Sequence, residues 1–260
     1  MIINFYKYQG AGNDFVIIDN RSKIISAKKE ELAVQLCDRK FGIGSDGLIF
    51  IENAEKADFL VDFLNPDGSR SFCGNGSRCG VQFAADQGIF NGSKTSFMGI
   101  DGIHLAEVKT GAINVEMKNV DHVEQLDSDF FAETGSPHYV SYFESIETLD
   151  MINFGHEIRY SETYKEKGTN VNAVEIIGEN HIRVRTYERG VENETLACGT
   201  GVTACALSYA VLNNLTKEHV DIDAEGGKLR VSFEKGNNSS FSNIWLEGPA
   251  TLVFKGDVNV

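Results

Sequence analysis

One pattern is written twice in this chain, and it constrains the fold more than any other. Residues 72–79 read "FCGNGSRC" and residues 197–201 read "ACGTG", so Cys-Gly-polar-Gly occurs once in each half. Each copy leads into an apolar stretch of helical length, "VQFAADQGIF" after the first and "VTACALSYAVL" after the second. The glycine that follows places Cys73 and Cys198 at predicted helix N-termini. Unpaired N–H groups and the helix dipole favour an anion there. The same position lowers a thiol's pKa and can hold a ligand carboxylate.

The chain has 260 residues, enough for one large domain or two of about 100 to 150 residues each. Strand candidates alternate with few helices. "IINFYKY" and "DFVIID" read as strands joined by a glycine turn, and "SAKKEELAVQLCDR" as a helix with Ser26 as N-cap. "GLIFIE" and "ADFLVDFLN" follow as strands, the second ended by the turn "NPDG". Beyond the first cysteine helix, "KTSFMG", "IHLAEVKTG" and "INVEMK" alternate with period two, as antiparallel strands do. The second half repeats the plan: "HYVSYF", "VNAVEII" and "HIRVRTYE" precede its cysteine helix, and "HVDIDA", "KLRVSFE" and "NIWLEGPATLVF" follow. The acidic segment at 119–130 reads as the crossover. The expectation is an α/β (α+β) chain of two pseudo-symmetric domains, residues 1–119 and 120–250, each a curved, mostly antiparallel sheet around a central helix.

A net charge of −14 argues against nucleic acid or an anionic membrane surface as partner; a small molecule fits better. No run approaches the roughly 18 apolar residues of a membrane span, and "MIINFYKYQG" starts as a strand, not as a signal segment, so a cytoplasmic location is expected. The sequence leaves the oligomeric state open, a homodimer included. Five cysteines (37, 73, 79, 198 and 205) are an odd number without knuckle spacing, which fits neither a disulfide framework nor a zinc site. Cys37, Cys79 and Cys205 read as small buried hydrophobes. "GIGSDG" (42–47) matches a dinucleotide-loop string, but it follows a helix and precedes a strand, the reverse of what that fold needs.

Two thiols on opposite sides of one carbon would form an acid/base pair: one removes a proton and the other delivers one to the opposite face. A redox couple would ordinarily be written Cys-x-x-Cys. A thiol hydrolase using His138 leaves the second motif without a purpose.

"GAGNDFVIID", "FLNPDGSRSFCGNGSRCGVQFA", "SPHYV", "GTNVN" and "YERGVENETLACGTGVTA", in this order and over nearly the full length, resemble the diaminopimelate epimerase family. Proline racemases are similar in their paired Cys-Gly loops but lack the Asn-Asp-Phe start and the "YERG" segment. The phenazine-biosynthesis isomerase relatives share the fold without the cysteine pair. The resemblance implies a cofactor-independent isomerase that interconverts L,L- and meso-diaminopimelate on the route to lysine and peptidoglycan precursors. It implies Cys73 and Cys198 as the acid/base residues, Cys73 acting on the L,L isomer and Cys198 on the meso isomer. It also implies that Asn13, Asn65, Asn170, Glu188 and Arg189 hold the substrate's charged groups. Gly74, Asn75, Gly199 and Thr200 would present the helix N-termini to a carboxylate, and residues 251–260 would return to the first domain as a strand. A zwitterion with two charged ends suits this set, since an amide both donates and accepts and arginine offers a planar fork. Without the resemblance, the three asparagines read equally well as turn residues and Glu188–Arg189 as a solvated pair. A racemase or epimerase of another amino acid, such as proline or hydroxyproline, is the alternative enzyme. A binding module that keeps the fold is a further alternative, though it would have no need of paired thiols. Ser136, where many family members carry Asn, is the one departure near the expected site; Gly47 is a second, milder one.

Overall fold

The computed structural model describes residues 1–260. The chain divides into two compact units, Met1–Val115 with Gly248–Val260, and Glu116–Glu247. The first contains β1 (Ile2–Gly10), β2 (Asn13–Asp19), α1 (Lys29–Cys37), β3 (Gly47–Glu52), β4 (Phe59–Leu64), α2 (Gly74–Asp86), β5 (Lys94–Gly99), β6 (Gly102–Lys109) and β7 (Ala112–Glu116). The second contains β8 (Val123–Leu126), β9 (Asp129–Glu133), β10 (Pro137–Phe143), α3 (Met151–Arg159), β11 (Asn170–Gly178), β12 (His181–Glu188), β13 (Asn193–Thr195), α4 (Gly199–Leu212), β14 (Lys217–Ala224), β15 (Gly227–Lys235) and β16 (Phe241–Gly248). The last strand, β17 (Thr251–Asn259), pairs antiparallel with β1.

The repeat extends to the sense of the eight-strand succession in each unit, with β13 beside β12 as an addition in the second. In the first unit the order β17-β1-β2-β3-β4-β5-β6-β7 runs antiparallel, antiparallel, parallel, antiparallel, parallel, antiparallel, antiparallel. In the second, β8-β9-β10-β11-β12-β14-β15-β16 gives the same succession. Parallel neighbours need a crossover. Each of the four has a helix: α1 and α2 in the first unit, α3 and α4 in the second. By this correspondence β17 takes the place that β8 holds in the second unit.

Period-two alternation sorts the first unit's core into two layers. Phe15, Ile17, Ile49 and Ile51 point to the α2 side with Cys79, Val81 and Phe83, whereas Val16, Ile18, Leu48 and Phe50 point to the α1 side with Ala33, Leu36 and Cys37. Strands buried on both faces read as continuous apolar runs, which is why "FVII" and "LIFI" show no alternation. The helix α2 touches β1, β2, β3, β4, β6 and β17, and α4 touches seven strands of its own unit, β8 to β12, β14 and β15. Seven strands laid flat would span roughly 30 Å at about 4.8 Å each, against a helix about 10 Å across. The sheet must therefore curl around the helix.

Three expectations change. Ser26 does not cap α1, which starts at Lys29 after Lys28 in a left-handed conformation (φ 66°). Tertiary contacts set that start, because Lys29 Nζ is held by Glu52 at 2.7 Å and Asp62 at 2.8 Å. The stretch "NIWLEGPATLVF" is two strands, broken where Pro249 cannot donate to a ladder. The helix α3 is an addition. Asp150 caps it, accepting from Asn153 N at 3.1 Å, and its apolar positions 151, 154 and 158 have helical spacing. Gly155 interrupts that pattern because the Tyr187 ring lies where a Cβ would be.

Candidate active site

In the first unit Cys73 is the N-cap of α2, with extended backbone (φ −129°, ψ 111°), and its Sγ accepts from Gly76 N at 3.3 Å. Its neighbours Gly74 and Asn75 are buried, and Cys73 itself is half-buried. The Asn75 amide donates to Asn13 Oδ1, and Asn13 Nδ2 donates to Asp46 Oδ2 at 3.0 Å. Asn13 reaches this place because β1 and β2 turn tightly through Ala11 (φ 53°) and Gly12 (φ 87°), the left-handed pair that a two-residue hairpin prefers. Asp46 is held in turn by Arg39 at 2.7 Å. Cys73, Asn75 and Asn13 thus form one connected group. Asn65 bonds within its own turn instead, donating to Ser69 Oγ and Ser71 Oγ, both at 3.1 Å.

In the second unit Cys198 is the N-cap of α4 with nearly the same backbone (φ −110°, ψ 115°), and its Sγ lies 3.4 Å from Thr200 Oγ1. Behind Thr200 is a buried polar network that the sequence reading did not anticipate. Asn172 Nδ2 donates to Tyr139 O at 2.9 Å and faces His138 Nδ1 at 3.1 Å, while Asn172 Oδ1 accepts from Thr186 Oγ1 at 2.9 Å. The Tyr139 carbonyl can only accept, so the amide's NH2 points this way and His138 Nδ1 must accept too. The proton then sits on Nε2, which meets Thr200 Oγ1 at 2.9 Å and Ser136 Oγ at 3.0 Å. His138 is fully buried, and burial pulls its pKa down to about 3. It is a neutral donor near pH 7, and the Thr200 hydroxyl it meets lies between Ser136 Oγ at 3.2 Å and Cys198 Sγ at 3.4 Å. A Cβ on Gly201 would lie 2.7 Å from Asn172 Oδ1, so glycine is required for helix and network to approach.

Asn170 is buried and donates to Ser136 Oγ at 3.1 Å while accepting from Arg189 N at 2.9 Å. Glu188 is half-buried and accepts from Thr195 Oγ1 at 2.5 Å. Arg189 is exposed, with one guanidinium nitrogen on Lys167 O at 2.8 Å. Asn170 and Arg189 are therefore joined through a backbone bond, and the arginine fork projects outward. Asn172 carried a legible signal: in "NVN" it lies two residues from Asn170, on the same strand face. The remaining thiols, Cys37, Cys79 and Cys205, are buried, and burial pushes their pKa values up, Cys79 and Cys205 far above the usual range. They cannot supply thiolate near neutrality.

A family model described as diaminopimelate epimerase matches residues 5–126 and 130–253. A diaminopimelate epimerase of Flavobacterium psychrophilum is 46% identical over 97% of this chain and 99% of that relative. One from Aquifex aeolicus is 38% identical over 98% and 97%. Among solved structures, a Bacillus anthracis phenazine biosynthesis protein of the PhzF family superposes with a TM-score of 0.79 at 14% identity, over the full length of both chains. A probable proline racemase from Agrobacterium radiobacter gives 0.72 at 14% identity, covering 99% of this chain and 93% of that one. At such identities these structures speak to the fold alone.

Proposed function

This chain belongs to the diaminopimelate epimerase family, and from that premise we propose that it interconverts L,L- and meso-diaminopimelate by two-base proton transfer, without a cofactor, in lysine biosynthesis. The observation that carries the reading is the duplicated cysteine N-cap, one on α2 and one on α4, each half-buried while the other three thiols are sealed in the core. One thiolate takes the α-proton, and the second thiol delivers a proton to the opposite face of the carbon. Negative charge builds on the adjacent carboxylate as the proton leaves. Helix N–H groups at Gly74, Asn75, Gly199 and Thr200 are preorganised donors for that charge. Asn13, Asn65, Asn170, Glu188 and Arg189 hold the remaining ammonium and carboxylate groups; this assignment is supported by the link from Asn75 to Asn13 and the outward fork of Arg189.

The test is incubation with L,L-diaminopimelate in heavy water, followed by chiral and mass analysis of both pools at low conversion. Meso product should carry deuterium at the inverted carbon from the first turnover, while recovered substrate stays largely unlabelled. No inversion would end the substrate assignment. Early product that keeps its protium would end the two-base step.

A further inference from the structure

Arg78 is the largest side chain fully removed from solvent in the molecule. It lies on α2, and helical side chains lean toward the N-terminus. The guanidinium therefore runs back along the helix to Asn75, where Nη2 donates to Oδ1 at 2.8 Å; Nε donates to Pro249 O at 3.4 Å, and Nη1 has no partner. Burying a cation without a carboxylate is costly, and a guanidinium cannot escape by losing its proton: burial lowers its pKa only to about 10. The ionisable side chains on the same stretch of α2 are the thiols of Cys79, the adjacent residue, and Cys73, the N-cap two residues before the Asn75 that Arg78 holds. Cys79 stays protonated in the core. Of the two, Cys73 at the helix N-terminus is the one placed to carry a negative charge.

The strands packed on α2 offer no rival. Tyr6 and Tyr8 of β1 meet the ring of Phe83 in the far half of the helix, and Tyr8 bonds Asp86. Asp14 of β2 is tied to Lys7 and Arg39, and Glu52 of β3 and Asp62 of β4 to Lys29. His104 of β6 stacks on Phe72 and meets Asp101 at 2.8 Å. On β17, Asp257 bonds Asn4, and Lys255 is exposed.

We propose that Arg78 is the positioning residue of the first half-site: its buried guanidinium aims the Asn75 amide at Asn13 and is the fixed positive charge that sustains Cys73 as a thiolate. The inference rests on Cys73 being one of the two acid/base thiols. Its test needs no substrate, so its failure and a failure of the epimerase reading are told apart.

The experiment measures iodoacetamide alkylation of the full chain from pH 5 to 9, with Cys73 and Cys198 peptides quantified separately by mass spectrometry, in wild type, R78M and R78K. In wild type the Cys73 midpoint should lie below that of an ordinary thiol, about 8.5. In R78M it should rise by a unit or more, which makes Cys73 roughly tenfold slower to react at pH 6, while the Cys198 profile stays in place. R78K should restore the midpoint only in part, since a buried ammonium, unlike a guanidinium, can shed its proton and cannot reproduce the fork on Asn75. A wild-type midpoint at or above 8.5 overturns the proposal whatever the variants do. So does an unchanged Cys73 profile in R78M with a native circular dichroism spectrum.

Discussion

At the start of α2 the group behind the cysteine is a buried cation: Arg78 reaches Asn75, and Asn75 reaches Asn13. At the start of α4 the corresponding residue is Thr203, which bonds back to Gly199 O at 2.8 Å, and the support comes from the neutral chain Thr186, Asn172, His138, Thr200. The two helix starts share backbone geometry, but only the Cys73 sulfur accepts a cap bond from its helix, and they differ in electrostatics. A reaction that inverts one carbon asks for a proton acceptor on one side and a donor on the other. Equal positions with unequal surroundings meet that demand better than two identical copies would. In the first half-site a buried charge backs the helix start, and in the second a neutral hydroxyl lies 3.4 Å from the thiol.

The comparison breaks most directly at the thiols. Cys73→Ala or Cys198→Ala should each lower epimerisation by at least about a thousandfold, as expected when an acid/base group that works as part of a pair is lost, while both chains still fold, Cys73→Ala at a lower unfolding midpoint because it loses the Gly76 cap and the counter-charge of Arg78. A single variant with near wild-type turnover would show that only one half-site acts.

The glycines sharpen the difference. Gly201→Ala should destabilise by about 1 to 3 kcal/mol, the usual cost of overpacking a close contact, because its Cβ would press on Asn172 Oδ1 at 2.7 Å. Gly76→Ala meets its nearest atoms at 3.4 Å, so the better helix propensity of alanine should leave it within about 1 kcal/mol of wild type. Thermal unfolding of both variants decides, and equal losses would contradict the tighter packing of the second half-site.

The neutral network should also leave a mark on pH dependence. The folded midpoint of His138, about 3, lies below the ordinary 6.5, so between these values the unfolded chain binds a proton that the folded chain refuses. Its contribution is whole above pH 6.5 and is lost as pH falls toward 3. In urea titrations at pH 7.5 and 4.5, His138→Gln should lose less stability than wild type between the two conditions. An identical loss would mean that His138 is protonated in the fold.

The smallest effects are expected where neither half-site reaches. Cys37→Ala should cost about 1 kcal/mol in stability, as a small core deletion does, with kcat unchanged. A selective loss of turnover would bring that thiol into the chemistry.

Both cysteine N-caps, the repeat, the strand-rich halves and the resemblance that names the family were legible in the residues, because each rests on local spacing: a glycine after a cysteine, a period of two, a turn at Pro or Gly. The start of α1 was not, since Lys29 is drawn to Glu52 and Asp62, carboxylates distant in sequence. The last strand was legible through the resemblance, which returned residues 251–260 to the first domain, but not in the run "NIWLEGPATLVF" itself, which reads as continuous although Pro249 divides it. The asparagines show the boundary most clearly. Residue type announced that Asn13, Asn75 and Asn170 could bind polar groups, yet a hydrogen bond is satisfied by whatever lies within about 3 Å, and only the fold brings Asn75 to Asn13 and Asn170 to the backbone of Arg189. Arg78 and His138 took their meaning from burial. A charge and an imidazole that would be unremarkable in water become a fixed cation and a fixed neutral donor once the sheets close around them, because the cost of desolvation depends on neighbours that no local window contains.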